Sequence, residues 1–407
     1  MRIKYRWLSL VLPLLLILAS CSSSSSSSIN GGAGFLWLTA QGNTTVQAYT
    51  INLGNGALSL NGRAVGTANA PTSIVITPKA DAAFISNSGT GALSFGGGIS
   101  AYTINSDGTF KVAGSTVPVS DSAAQPNTCA NPMGLAIDPS DKFLFVACQG
   151  TFGDLNSGAV FVFSISGTSL APVGIRTPTN NGTATGSGAV SVAVSASGNY
   201  LYVANQFANT VSSFQISSSG ALTLLNTYPV GIAPSAVFVS VAQGTIPAGQ
   251  YLYVANTGSN NISGFAICDA ANASSCSTPN GLLTPIAGSP FAAEPGPVAI
   301  AMDPTAPFLY AADEQANQIS QYSWSSGTGV LTPLSTAMIS AGGSPVALAI
   351  HSGVAATATA AGIDYLYAAN LNASSVSVYT LNTTTGALNV SGSPVTTPSQ
   401  PSAIIVR

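Results

Sequence analysis

The sequence predicts an all-β fold, a seven-bladed β-propeller of four-stranded antiparallel blades. Three observations carry this: a six-residue phrase recurs in seven copies, the same strand-and-turn grammar surrounds each copy, and no long helical period follows the first 20 residues. The plainest copies are Tyr200-Leu201-Tyr202-Val203-Ala204-Asn205 and Tyr251-Leu252-Tyr253-Val254-Ala255-Asn256. Tyr365–Asn370 and Phe308–Asp313 stand close to them, and Phe143–Cys148, Ala82–Asn87 and Phe35–Ala40 are weaker copies. A phrase spaced by roughly 50 to 60 residues marks a repeat architecture, and all-strand units of this length are propeller blades.

The first residues read as an address. Arg2, Lys4 and Arg6 precede an apolar stretch, Leu8 to Leu18, that Pro13 interrupts. It is shorter than the roughly 20 residues of a spanning helix, so residues 1–20 read as a cleaved signal peptide. Leu18-Ala19-Ser20-Cys21 resembles the lipobox of bacterial lipoproteins, which implies acylation of Cys21 and attachment to a membrane through that lipid. Ser22, in place of an aspartate, points to the outer membrane by the usual enteric sorting rule. Residues 21–34, with seven serines and then Asn and Gly, read as a flexible tether.

Residues 35–407 form the propeller. Each unit opens on a Pro-containing approach and a short apolar first strand, as in Pro234–Val239 and Pro297–Met302. An Asp-Pro turn follows, Asp138-Pro139-Ser140-Asp141 or Asp303-Pro304-Thr305-Ala306, and then the phrase itself as second strand. A third strand alternates, as in Thr210–Ile216, and a Gly-Ala-Leu strand closes the unit at Gly56, Gly220 and Gly386. The chain enters on a second strand, Phe35–Ala40, and leaves on a first strand, Pro401–Val406. The last strand is therefore expected to complete the N-terminal blade and remove an open sheet edge.

Charge is sparse, 5% of residues against about a quarter in an average soluble chain. Without the three signal residues the balance is 6 Lys+Arg to 12 Asp+Glu, which leaves no basic footprint for nucleic acid. Four cysteines follow Cys21, and an even count in an exported chain suggests disulfides, Cys129 with Cys148 and Cys268 with Cys276. Zinc is the competing reading, weakened by the lack of a CxxC pair and by a single histidine.

The phrase, the Asp-Pro turn and the Gly-Ala-Leu strand together resemble the YVTN-type repeat and the seven-bladed lactonase family of propellers, over essentially the whole chain after the tether. That family includes bacterial 6-phosphogluconolactonases and cycloisomerases of muconate metabolism. The resemblance implies lactone chemistry, although its motifs build blades rather than sites.

Candidate site residues come from the grammar. Asn87, Asn205, Asn256 and Asn370 end second strands, so they are expected as a partial ring of ligand-binding amides at the channel mouth, or else as local turn caps. Asp313 holds the same slot in another unit. Glu294 and Glu314, the only glutamates, flank it. These three carboxylates are the candidate catalytic set, suited to general-base work on water or to a hard cation such as calcium; solvated surface acids are the alternative. Cys148 also sits in the asparagine slot. His351 follows a first strand and is expected in a loop on the opposite face, away from the acids. Lys79 and Lys142 fall in turns on that opposite face, and Arg63, Lys111 and Arg176 on outer strands. A phosphorylated lactone would need cations at the pocket, so a small neutral ligand, a neutral lactone or a glycan fits better. A monomer is expected.

Overall fold

The named strands of the computed structural model form seven antiparallel sheets, one per repeat. The structure describes residues 34–89, 97–120, 128–129, 131–150, 158–174, 177–178, 188–241, 251–269, 276, 278–354 and 362–407. The signal peptide, Cys21, the tether up to residue 33, and Arg176 lie outside the described residues. Gly34, assigned to the tether from sequence, already opens the strand Gly34–Ala40.

Blade 6 shows the pattern. Its inner strand Pro297–Met302 and second strand Phe308–Asp313 are buried throughout, because sheets of neighbouring blades cover both faces. The third strand Gln318–Trp324 keeps a buried centre, and the outer strand Leu331–Ser340 is largely exposed. In blades 2, 3, 5 and 7 the outer strand is broken into two short pieces that both pair with the third. The ring closes as expected. Pro401–Val406 pairs with Gly34–Ala40, setting Leu36 opposite Val406 and Trp37 opposite Ile405.

The aromatic phrase and the Gly-Ala-Leu strand turn out to be two halves of one joint. In five blades the third residue of the phrase reaches the glycine turn of the next blade. Tyr202 Oη donates to the Gly281 carbonyl, Tyr253 to Gly329, Tyr310 to Gly386, and Tyr367 to Gly56 across the closure; Trp37 Nε1 does the same at Gly108. The first aromatic of the phrase packs on the same glycine, as Phe308 does on Gly386 and Tyr365 on Gly56. Tyr310→Phe leaves a buried carbonyl without its donor. It is expected to cost about 1–2 kcal/mol, read as a lower urea midpoint with unchanged slope.

The ring has an entry face, where second strands end, and an opposite face, where the inner-to-second hairpins lie. On the opposite face Asp138 caps its turn by accepting from the backbone N–H groups of Ser140, Lys142 and Phe143. His351 departs from expectation. It lies within the inner strand Pro345–Val354, paired with Tyr365, rather than in a loop. A Cβ on Gly34 would sit 2.5 Å from its Nε2, so the imidazole packs on the first residue of blade 1, and burial lowers its pKa. It lies at the end of its blade opposite Pro345 and Asn370, and so on the face away from Glu294, Asp313 and Glu314.

Candidate functional site on the entry face of blade 6

Three contacts reveal a slot that recurs around the entry face. In blades 3, 5 and 7 the residue three positions before the inner strand lies over the residue that ends the second strand of the same blade. In blade 3 these are Cys129 and Cys148, joined as a disulfide with Cα atoms 5.7 Å apart. In blades 5 and 7 they are Gly231 with Asn256 and Gly342 with Asn370. A Cβ on either glycine would come within 2.7 Å and 2.5 Å of the asparagine side chain, so only glycine leaves room. In blade 6 the same positions hold Glu294 and Asp313. The second expected disulfide, Cys268–Cys276, also forms, with Cα atoms 5.5 Å apart.

The four asparagines are turned into the blade rather than displayed around the channel mouth. All are fully buried. Their amide nitrogens donate to third-strand serines of their own blades, Asn87 to Ser100, Asn205 to Ser212, Asn256 to Ser263 and Asn370 to Ser377. The expected open ring of amides thus gives way to the local capping alternative, with each Oδ1 buried and lacking a hydrogen-bond partner.

Asp313 keeps this arrangement with the direction of bonding reversed. Ser320 donates through both its backbone N–H (2.9 Å) and its hydroxyl (2.7 Å) to Oδ2. Oδ1 is buried without a partner. Burial, with the Glu294 charge adding to it, pushes the carboxyl up to about 8. Glu294 is half-buried, and its backbone N–H donates to the Ser320 hydroxyl at 3.3 Å. One serine therefore ties both acids to the third strand.

Glu314 does not join them. Its side chain reaches across to blade 7, where Ser344 donates to Oε1 at 2.8 Å, and burial raises its pKa. The three acids therefore do not converge on one point. Among the described residues no three His, Cys, Asp or Glu side chains gather as cation ligands.

Glu314 instead belongs to a second series that sequence reasoning missed: the side chain directly after the phrase, which leans toward the next blade. Gln149 donates to Gln206 at 2.8 Å, and Thr257 to the Pro297 carbonyl at 2.8 Å. The signal was available, since residue i+1 of a strand points opposite to residue i. These uncharged groups with Glu314 bridge successive blades at the entry face. No described Lys or Arg reaches it: Lys79 is 3.9 Å from Asp141 on the opposite face, Lys142 is in the same hairpin as Asp141, Arg407 donates to the Thr77 and Pro78 carbonyls on that face, and Arg63 and Lys111 are on outer strands.

Sequence reasoning also missed a second acid pair. Asp303 and Asp364, both buried on the opposite face between blades 6 and 7, are bridged by the Thr305 hydroxyl at 3.0 and 2.6 Å. Burial and the adjoining Asp364 carboxyl push Asp303 up to about 7.

The fold is shared with solved lactonase-type propellers. The periplasmic gluconolactonase of Pseudomonas aeruginosa superposes with a TM-score of 0.71 at 18% identity, covering 92% of this chain and 99% of that one. A putative 6-phosphogluconolactonase from Bacteroides uniformis gives a TM-score of 0.70 at 15% identity over 93% and 100% of the two chains. One from Bacteroides fragilis gives 0.68 at 14%, over 94% and 100%. A search of the curated proteins found no match. The family model for the seven-bladed β-propeller lactonases matches residues 28–350 and 283–405, and the chain belongs to that family.

Proposed function

We propose that this chain hydrolyses an uncharged lactone at the bacterial cell envelope, with blade 6 supplying the acid–base groups. The observation that carries the reading is the Glu294–Asp313 pair. Gly–Asn fills this slot in two other blades with neutral bonds, so a buried carboxyl facing a second acid has no structural use that asparagine does not already serve. Glu294, the more exposed of the two, takes a proton from the attacking water as the new C–O bond forms. The ring C–O bond then breaks, and the proton passes to the leaving alkoxide oxygen. Asp313 acts through Glu294 as a positioning residue, and Glu314 lies beside the path. The absence of described cations at this face favours a neutral lactone over a phosphorylated one.

Acylation of Cys21 would hold the enzyme at the membrane, and the two disulfides fit an oxidising compartment. The likeness to a periplasmic gluconolactonase supports the same location. A second reading is a non-catalytic propeller that binds a glycan or an envelope protein, favoured by the uncharged Gln149, Gln206 and Thr257.

A panel of neutral and 6-phosphorylated lactones, assayed with wild type, Glu294→Gln and Asp313→Asn, separates the two. Hydrolysis of a neutral lactone with kcat/KM lowered by about 10²-fold or more in Glu294→Gln is expected, the size of a lost general base. Equal rates in wild type and variants would sink the proposal, and saturable binding without turnover would favour the second reading.

A further inference from the structure

The outer strands carry a slot of their own, set opposite an aromatic on each third strand. The pairs are Tyr49 with Leu60, Tyr102 with Val112, Phe163 with Pro172, Phe214 with Leu224, Phe265 with Pro285, Tyr322 with Pro333, and Tyr379 with Val390. Its occupants are not scattered at random around the ring. Blades 3, 5 and 6 carry proline, the residue that blunts a sheet edge because it has no N–H to offer, and blade 4 carries Leu224, which is half-buried. Blades 7, 1 and 2, which are consecutive across the closure, carry Val390, Leu60 and Val112, exposed by 63%, 69% and 52%.

Only seven large apolar side chains are exposed among the described residues, and these three share one slot on three adjacent blades. Their outer edges touch: Ser391 donates to the Asn55 carbonyl between blades 7 and 1, and Asn61 to the Asp107 carbonyl between blades 1 and 2. Two cations accompany them. Arg63 and Lys111 are exposed on the outer strands of blades 1 and 2, whereas no other described outer strand carries a cation. Asp107, in the turn before the outer strand of blade 2, accepts from Thr109 in its own turn.

We infer that the circumference of blades 7, 1 and 2 rests against an anionic lipid surface. Apolar side chains among cations are the chemistry of a surface that meets lipid headgroups and the outermost acyl carbons. The start of the chain argues for this occupant. Gly34 lies in blade 1, the middle blade of the three, and Cys21 precedes it by 13 residues, roughly 45 Å when extended. The tether argument rests on the proposed lipid anchor; the patch itself does not.

The named strands lie within residues 34–407, and the ring they form closes between Gly34–Ala40 and Pro401–Val406. The test therefore uses residues 22–407, which lack the acylated cysteine, with sedimenting vesicles of phosphatidylcholine alone or mixed with phosphatidylglycerol at low salt. Partition onto the anionic vesicles is expected. It should fall at least fivefold in Leu60→Ser/Val112→Ser/Val390→Ser and in Arg63→Ser/Lys111→Ser, with unchanged melting temperatures because all five side chains are exposed. Amide exchange in the bound protein should slow in the outer strands of blades 7, 1 and 2 and not in those of blades 4 and 5. Absence of partition, or partition equal in all variants, overturns the inference. So does a dimer that the triple variant converts to monomer by light scattering with vesicle binding unchanged, which would assign the patch to a second copy of the chain. Failure of Cys21 acylation would leave this result untouched.

Discussion

Asp313→Asn is expected to remove much of the fall in stability that the wild type shows between pH 4 and pH 8. Burial raises the folded-state pKa of Asp313 to about 8, from the ordinary 3.8 that applies to the unfolded chain. Below the lower value both states hold the proton and no difference arises. Between the two values the folded state keeps a proton that the unfolded state has released. Stability then declines as pH rises, by up to about 1.4 kcal/mol per pH unit for one group, and levels off above the folded value. Asparagine has nothing to titrate. Its amide would meet Ser320 as the amides of Asn256 and Asn370 meet Ser263 and Ser377. The variant should therefore be more stable than wild type at pH 8 by several kcal/mol, and nearly equal to it at pH 4. Urea titrations at five pH values measure this, with Asp303 left intact because its own raised pKa gives a slope of the same sign. Parallel curves for the two proteins would show that Asp313 is not held neutral. A gain in stability together with lost turnover would be the trade expected of a residue kept for function.

Gly386→Ala is expected to cost about 3 kcal/mol or more, whereas Gly392→Ala costs about 1 kcal/mol. The two glycines share a left-handed backbone, both at φ 73°, and both lie in blade 7. They differ in surroundings. A Cβ at Gly386 would come 2.3 Å from the ring of Phe308 on blade 6, while one at Gly392 meets nothing within 4 Å. The backbone strain is thus common to both, and the difference between the variants reports the blade-to-blade joint alone. The same substitution would displace the Gly386 carbonyl that receives the Tyr310 hydroxyl. A Tyr310→Phe/Gly386→Ala double variant should accordingly lose less than the sum of the two single losses, because both changes break one contact. Equal losses at Gly386 and Gly392 would mean that Phe308 yields without cost.

Much of the fold was legible because its signals are local and repeated. Copies of the phrase count second strands, and the order of elements at the two ends requires Pro401–Val406 to close blade 1, as it does. Both disulfides follow from an even count and short spacing. His351 was misread because its strand runs on to Val354, past the place where the other blades turn, so its slot in the repeat does not share their conformation. The site was half legible. The repeat singled out Asp313 as a departure from asparagine, but strand periodicity is silent on depth, and it left the asparagines on the surface when all four are buried and, in blades 5 and 7, a glycine of the entering connection packs on them.

By itself the sequence determined the blade number, the closure, the cysteine pairs and the sector in which charge departs from the pattern. These depend on period and order along one chain. The tertiary structure alone decided that Glu294 lies over Asp313 while Glu314 turns to Ser344, that the aromatics latch onto glycines of the next blade, and that Leu60, Val112 and Val390 form one exposed row. Such partners come from segments separated by a loop, a blade or the whole ring. Their meeting is governed by sheet twist, loop path and close packing between blades, none of which has a period in the sequence.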